Sequence, residues 1–302
     1  MPALSMPPIA GTPRCLHPAA ARLGEGTCWS PRLQSLWWVD ILGKRLFLFR
    51  ASDGSCREWA FDEEVSAVAE CRDGPRLVLT LRHGLARFDP ETGAPPVVLQ
   101  RPPEEPATNR FNDGKCDAAG RFWGGTMDFD CVAPSGAFYR FDPDGGRTRV
   151  ALDFAVTNGP TWSLDQRTMW INDTVRGRVQ AFDFDAASGA LSNEREWLRF
   201  ARGDGVPDGM TTDAAGRIWI AHWGGACISC HDPVSAAELG RVRLPVSQVT
   251  NCAFGGPDFR TLFITSAREG LSTEQLAREP LAGGLFAVEI GEAGVAAGLF
   301  AG

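Results

Sequence analysis

Residues 117–123 read DAAGRFW, and residues 213–219 read DAAGRIW. Each stretch joins an Asp/Gly turn to the start of an apolar strand, which is the turn chemistry of a β-hairpin. Halfway between them, Asp165 lies in the related stretch WSLDQRTMWI. A pattern that returns at such even spacing indicates a repeated structural unit rather than a chance likeness.

The same pattern extends outward in both directions. Asp258 marks a later unit and Asp73 an earlier one, and WSPRLQSLWWV at residues 29–39 fills the first place without the Asp. Six units of about 45 residues, rich in hairpin turns and nearly free of helical periodicity, are typical of four-stranded propeller blades. The sequence therefore predicts an all-β fold, a six-bladed β-propeller of four-stranded antiparallel blades around a central channel. A two-sheet sandwich, the alternative, does not explain the even spacing.

A single domain over residues 1–302 is expected, although the length alone would favour two. The ring has to close, so the N-terminal stretch is expected to pair with the strand GGLFAVEI at residues 283–290. The 34 Gly and 21 Pro supply the many turns of such a ring. Most of the ten Trp recur where the repeat predicts blade core.

Composition and charge exclude several classes of partner. A net charge of −7 and the absence of a basic stripe argue against nucleic acid. No apolar run approaches the ~20 residues that span a bilayer. The first twenty residues lack the basic start and apolar stretch of a secretory signal. Nine scattered Cys, an odd number, fit reduced thiols. We expect a soluble, cytoplasmic, monomeric protein that binds a small molecule and neither nucleic acid nor membrane.

The first strand of each propeller blade lines the channel, so the residue just before it is expected to face the axis. Six equivalent positions carry polar side chains there: Glu25, Ser66, Asn112, Asn158, Asp208 and Asn251. Carboxylate and amide oxygens gathered at one point suit a divalent metal ion, Ca²⁺ foremost, whereas Mg²⁺, Mn²⁺, Zn²⁺ and Fe²⁺ also accept such ligands. The plainer interpretation is that these residues beside Gly make turns. The turn interpretation suits any one of these positions taken alone, but it explains six equivalent positions less well. Ser66 and Asn251 could be channel lining only.

Five segments resemble the regucalcin/gluconolactonase family, also called the senescence marker protein family. They fall in order over most of the chain, from about Leu23 to Ile290: LGEGTCW, RFNDGKCDAAGRFWGGTM, VTNGPTWS, VPDGM and FGGPDFRTLFITSAR. The stretch AREGLSTEQLAREPLAGGLFAV, from Ala267, is similar to the bacterial sugar-acid lactonases of that family.

The resemblance implies specific roles for residues at matching positions. The metal-binding Glu, Asn and Asp of the family fall on Glu25, Asn158 and Asp208. Its substrate-binding Arg and Asn fall on Arg110 and Asn112. A further acid that contacts substrate falls on Asp130, in a loop that varies.

Two departures from the family pattern appear beside these positions. Thr27 stands where the family usually has Pro after GEG, and Thr157 stands where many members have Pro before NG. Neither departure removes a ligand.

These residues together predict a metal-dependent lactonase that hydrolyses an aldonolactone of the glucono, xylono, arabinono or galactono type. The metal would polarise the lactone carbonyl, and Asp208 would act as general base toward water. Arg110 and Asn112 would bind ring hydroxyls as donors, and Asp130 as an acceptor. One alternative is a phosphotriesterase-like hydrolase on the same fold, and another is a non-catalytic calcium-binding propeller.

One motif points elsewhere. Residues 227–231 read CISCH, which matches the haem-attachment pattern, but the two thiols are three apart on an expected strand and so face opposite ways. We interpret the match as fortuitous. His222 could line the channel mouth, and a hydrogen-bonded structural role is the favoured interpretation.

Overall fold

The computed structural model describes residues 4–302, apart from the side chain of Leu152. Its strands form six separate four-stranded antiparallel sheets, which confirms the six-bladed propeller. Blades 1 and 2 contain β2 (Gly24–Ser30), β3 (Ser35–Asp40), β4 (Arg45–Arg50) and β5 (Cys56–Ala60), then β6 (Val65–Glu70), β7 (Leu77–Leu81), β8 (Gly84–Phe88) and β9 (Val97–Gln100). Blades 3 and 4 contain β10 (Asn109–Cys116), β11 (Phe122–Asp128), β12 (Gly136–Phe141) and β13 (Arg147–Phe154), then β14 (Thr157–Trp162), β15 (Thr168–Asp173), β16 (Arg178–Asp185) and β17 (Ala190–Arg199).

The last two blades complete the ring. Blade 5 contains β18 (Val206–Thr212), β19 (Ile218–Trp223), β20 (Cys227–His231) and β21 (Glu238–Arg243). Blade 6 contains β22 (Val249–Gly255), β23 (Thr261–Ser266), β24 (Leu285–Ile290) and, from the start of the chain, β1 (Ile9–His17). The predicted closure is confirmed, because β1 pairs antiparallel with β24. A short helix, α1 (Thr273–Arg278), with a Ser272 capping box, lies between β23 and β24.

The DAAGR(F/I)W repeat works as a brace across a hairpin. The Asp117 carboxylate accepts hydrogen bonds from the backbone N–H of Arg121, from its Nε at 2.6 Å and from Trp123 Nε1 at 2.8 Å. Asp213 makes the same three bonds to Arg217 and Trp219. Burying an ion pair is tolerable when hydrogen bonds satisfy the remaining groups, as they do here. The repeat thus ties each turn to the strand that follows it.

Apolar side chains fill the spaces between blades. Trp37, Trp38, Trp123 and Trp219 are among the largest fully buried side chains, and all four lie on second strands. Trp29 stacks on Phe263 of the neighbouring blade 6, with ring centroids 5.3 Å apart. These contacts agree with the predicted blade-core role of the Trp residues.

The C-terminal segment, residues 293–301, crosses one face of the ring. The backbone N–H of Gly294 donates to the Phe259 carbonyl, that of Phe300 to Glu70, and that of Ala301 to Gly120. The Phe300 side chain is buried in the core of blades 2 and 3. This segment therefore joins blade 6 to blades 2 and 3. None of the helices within residues 4–302 has the length and apolar character needed to cross a membrane.

Candidate functional site

All six inner strands lose their regular pairing near the same end. The pairing register shifts between Glu25 and Cys28 in β2, and between Pro207 and Met210 in β18. Comparable shifts occur at Ser66 in β6, after Phe111 in β10, after Asn158 in β14, and before Asn251 in β22. Such irregularities redirect side chains and are frequent next to functional sites. Here they turn a ring of polar groups toward the axis.

Five of the predicted site residues line one cavity of about 320 Å³ at this end of the channel: Glu25, Arg110, Asn112, Asn158 and Asp208. All five are buried in the protein. Leu23, Met127, Val156, Val206 and Trp223 contribute apolar parts of the wall. We call this space the entrance cavity. Convergent polar groups within a mostly apolar wall are typical of a small-molecule site.

Asp130 departs from its predicted place. Its side chain is exposed and is not part of the cavity wall, whereas its neighbours Phe129 and Cys131 line it. The cause is a tight turn: the Asp128 carboxylate accepts from the backbone N–H groups of Val132 and Ala133. Asp130 is therefore left out of the site described below.

Ser66 also stays outside the cavity wall, since its hydroxyl pairs with Thr80 Oγ1 at 2.9 Å. His222 is buried beneath blade 5, where its ring nitrogens contact the Asp204 carbonyl at 2.8 Å and Ser229 Oγ at 2.7 Å. The pKa of His222 is lowered to about 4, mainly because the ring is buried, so the ring is neutral at pH 7. These contacts agree with the hydrogen-bonded structural role that the sequence favoured for His222.

The CISCH stretch belongs to the same buried network. His231 Nε2 contacts Ser229 Oγ at 2.8 Å, while Cys227 and Cys230 are free thiols on β20. Burial raises the pKa of both thiols, which makes them poor nucleophiles and poor ligands.

A chain of side-chain hydrogen bonds fixes the orientation of Asn158. Arg110 Nη1 donates to Asn112 Oδ1 at 2.7 Å, and Asn112 Nδ2 donates to Asn158 Oδ1 at 2.9 Å. Asn158 Nδ2 in turn donates to Thr174 Oγ1 at 2.9 Å. Each amide is thereby fixed, and Asn158 Oδ1 retains a second lone pair. Arg110 Nε is buried and has no hydrogen-bond partner within residues 4–302.

The carboxyl groups of Glu25, Asp208 and Asp113 lie close enough to affect one another's ionisation. Burial, followed by repulsion between these acids, raises the pKa of both Glu25 and Asp208 above their usual range. Within the described residues none of the three acids takes part in an ion pair, although the charges of Arg110 and Lys115 act on them from farther away. The three buried acids outnumber these two basic groups, which leaves the site short of positive charge.

The donor set fits a divalent cation. Glu25, Asp208 and Asn158 bring carboxylate and amide oxygens to one cavity, and hard divalent cations prefer such ligands. A cation bound there would supply the missing positive charge and hold both acids ionised. No cluster of three or more His, Cys, Asp or Glu side chains with metal-binding geometry occurs in the described part of the chain. The proposed set is different in kind, because an amide provides one of its three ligands.

Asp113 was not singled out from the sequence. It is buried and accepts hydrogen bonds from the backbone N–H groups of Gly114 at 2.8 Å and Gly159 at 3.1 Å. Gly159 follows Asn158, so Asp113 holds the backbone beside a predicted ligand. The sequence does contain a signal, because Asp113 directly follows Asn112, one of the six axis positions. In the structure, the strand irregularity leaves both residues outside the regular pairing of β10 and β11.

Comparison with known proteins identifies the family. The model of the SMP-30/Gluconolactonase/LRE-like region matches residues 23–268, which is most of the chain. The chain belongs to this family. The match includes Glu25, Arg110, Asn112, Asn158 and Asp208.

Several members of the SMP-30/gluconolactonase family resemble the chain over nearly its whole length. A putative sugar lactone lactonase of Bacillus subtilis is 33% identical over 282 residues, covering 93% of this chain and 96% of that protein. Regucalcin of Gallus gallus is 34% identical over 280 residues, covering 91% and 93%. A crystal structure described as the calcium-binding protein regucalcin, from Agrobacterium tumefaciens, superposes with a TM-score of 0.91 at 28% identity, covering 99% of each chain.

Proposed function

We propose that the protein is a cation-dependent sugar lactonase, a carboxylic ester hydrolase that opens an aldonolactone to its aldonic acid. The observation that supports this most is the entrance cavity, where the buried acids Glu25 and Asp208 form no ion pair within the described residues and share the wall with Arg110. The name of the Bacillus subtilis relative, a putative sugar lactone lactonase, agrees with it.

Lactone hydrolysis adds water to the carbonyl carbon and then breaks the bond to the ring oxygen. A divalent cation held by Glu25, Asn158 and Asp208 would polarise the carbonyl and stabilise the negative charge on its oxygen. Asp208 takes the proton of the attacking water and returns it to the departing ring oxygen, which becomes a hydroxyl group. No proton is gained or lost by the protein over the cycle.

The remaining polar groups hold the sugar. Arg110 lines the cavity wall, and the guanidinium N–H donors that its bond to Asn112 leaves over would bind a ring hydroxyl oxygen. Asn112 keeps Asn158 in place and lines the same wall. The apolar residues around them keep bulk water, other than the attacking molecule, away from the reacting bond. The lower local dielectric strengthens the electrostatic contacts with the sugar.

Ca²⁺ is the first cation to test, because every proposed ligand is an oxygen. Binding of Ca²⁺ without turnover is the second candidate function, supported by the description of the Agrobacterium tumefaciens relative as a calcium-binding protein.

Parallel assays separate these functions. The purified chain with Ca²⁺ is assayed on glucono-, xylono-, arabinono- and galactonolactone and on an organophosphate triester. Hydrolysis of a sugar lactone well above the rate for the triester is expected. Turnover of the triester alone would replace the lactonase proposal, and binding of Ca²⁺ with no turnover of any substrate would leave a binding protein.

A further inference from the structure

The amide of Asn251 lies next to the predicted ligands and touches several blades. Its Nδ2 donates to Glu25 Oε2 at 2.9 Å and to Asp113 Oδ2 at 3.3 Å. Its Oδ1 accepts from Thr27 Oγ1 at 2.9 Å. Asn251 is fully buried, so none of these bonds competes with bulk water. One side chain of blade 6 thus connects blade 1 to blade 3.

The hydrogens in this group allow one arrangement of the amide. Its NH₂ faces two carboxylates, and its carbonyl oxygen faces a hydroxyl that can donate. Turning the amide over would set Oδ1 against both acids, which repel it once a bound cation holds them ionised. The Thr27 hydroxyl supplies the hydrogen that Oδ1 accepts in the favourable arrangement. Without that hydrogen a buried carbonyl oxygen would lose its partner, which is costly.

The backbone next to Asp208 is shaped around the same amide. A Cβ atom at Gly209 would lie 2.4 Å from both Cγ and Nδ2 of Asn251. Any side chain at position 209 would therefore displace the amide. Asn251 is held from three directions: by Thr27 and Glu25, by Asp113, and by the glycine that follows Asp208.

We propose that Asn251, oriented by Thr27, is a positioning residue that fixes the Glu25 carboxylate and thereby sets the cation affinity of the entrance cavity. The inference rests on the proposed function in one respect, that Glu25 is a cation ligand. Groups that hydrogen-bond to a metal ligand restrict its orientation before the ion arrives.

Isothermal titration calorimetry of the metal-stripped, full-length protein with Ca²⁺, and separately with Mn²⁺, tests the proposal. Thr27→Val keeps the shape of the side chain and removes the hydroxyl, so we expect Kd to rise about 10- to 100-fold. Thr27→Ser retains the hydroxyl and is expected to bind close to wild type. Thr161→Val is the matched control, since Thr161 is a buried inner-strand threonine whose hydroxyl pairs with Thr212 at 2.7 Å, away from the ligands.

The outcomes are distinct. Wild-type affinity in Thr27→Val would overturn the positioning role, as would equal weakening in Thr161→Val. If Thr27→Val does not fold, Asn251→Ser removes the bond to Glu25 directly, and unchanged affinity there contradicts the proposal equally. A wild-type protein that binds neither cation would overturn the proposed function and, with it, this inference.

Discussion

The two ends of the inner strands differ in chemistry although the same six strands build both. At one end Glu25, Asn158 and Asp208 surround the entrance cavity. At the other end Trp29, Phe254 and Leu164 line a smaller space of about 190 Å³, which holds no carboxylate among the described residues. Lys115 and threonine hydroxyls complete its wall, and residues 295–298 of the C-terminal segment help to enclose it. We call this second space the tail cavity.

The difference follows from the backbone. At the entrance the strand register is interrupted in all six blades, so polar side chains turn away from the ladder and meet on the axis. Toward the tail cavity the pairing is regular again, and in blades 3 and 5 the Asp–Arg–Trp braces fix the turn. The predicted site residues thus collect where pairing is broken, and the Asp–Arg–Trp braces lie where pairing is continuous.

The largest effect is expected at the entrance. Glu25→Gln or Asp208→Asn should lower kcat/KM for a sugar lactone by about 10³-fold or more, because each removes a cation ligand and Asp208 is also the base. Ser66→Ala, at the equivalent place in blade 2, should leave kcat/KM unchanged, since Ser66 bonds only to Thr80 in this region. Steady-state kinetics measure all three, and full activity in either acid variant would remove the proposed site.

At the opposite end the effect should fall on stability. Phe300→Ala empties a buried position in the core of blades 2 and 3, and such losses cost about 3 to 5 kcal/mol. Urea unfolding should show this decrease in the free energy of unfolding, while kcat/KM of the folded protein stays at the wild-type value. A fall in kcat/KM at full Ca²⁺ occupancy would show that the two ends are coupled.

A smaller change is expected for substrate binding. Arg110→Met removes the guanidinium donors and the bond to Asn112, so we expect KM for the preferred lactone to rise about tenfold. Arg110→Lys is the matched variant, because it keeps the charge but not the planar fork of donors. An unchanged KM in Arg110→Met across all four lactones would exclude a role in binding the sugar.

The smallest effect is predicted for the hydroxyl pair at the tail cavity. Thr161→Val breaks the bond to Thr212 and should lower the free energy of unfolding by about 1 kcal/mol. No change in lactone turnover is expected, because neither residue faces the entrance cavity. Loss of turnover with an intact fold would mean that the tail cavity takes part in the reaction.

Much of this comparison could be predicted from the sequence. The Asp117 and Asp213 stretches act through local turn chemistry, so the repeat, the six blades and the closure by residues 283–290 could be inferred without a structure. Equivalence between repeats then places Glu25, Asn158 and Asp208 around one axis, and the structure does bring their side chains to one cavity.

Contacts between distant blades could not be predicted. Asn251 is 226 positions from Glu25 and 138 from Asp113, and no local pattern joins them. The sequence therefore placed Asn251 among the six positions at the axis, but it left open whether Asn251 is more than channel lining. Asp130 lies outside the cavity wall for the opposite reason, because a local turn closed by Asp128 decides where it points. The C-terminal segment has no hydrophobic periodicity from which its path across the ring could be predicted.

The central claim is that the entrance cavity hydrolyses a lactone with the help of a cation held by Glu25, Asn158 and Asp208. Lactone hydrolysis by the metal-stripped protein, before and after Ca²⁺ is added back, tests it most directly. We predict no turnover above the spontaneous rate after stripping, recovery on add-back in the wild type, and no recovery in Glu25→Gln. Full turnover by the stripped protein, or recovery in Glu25→Gln equal to that of the wild type, would contradict the claim.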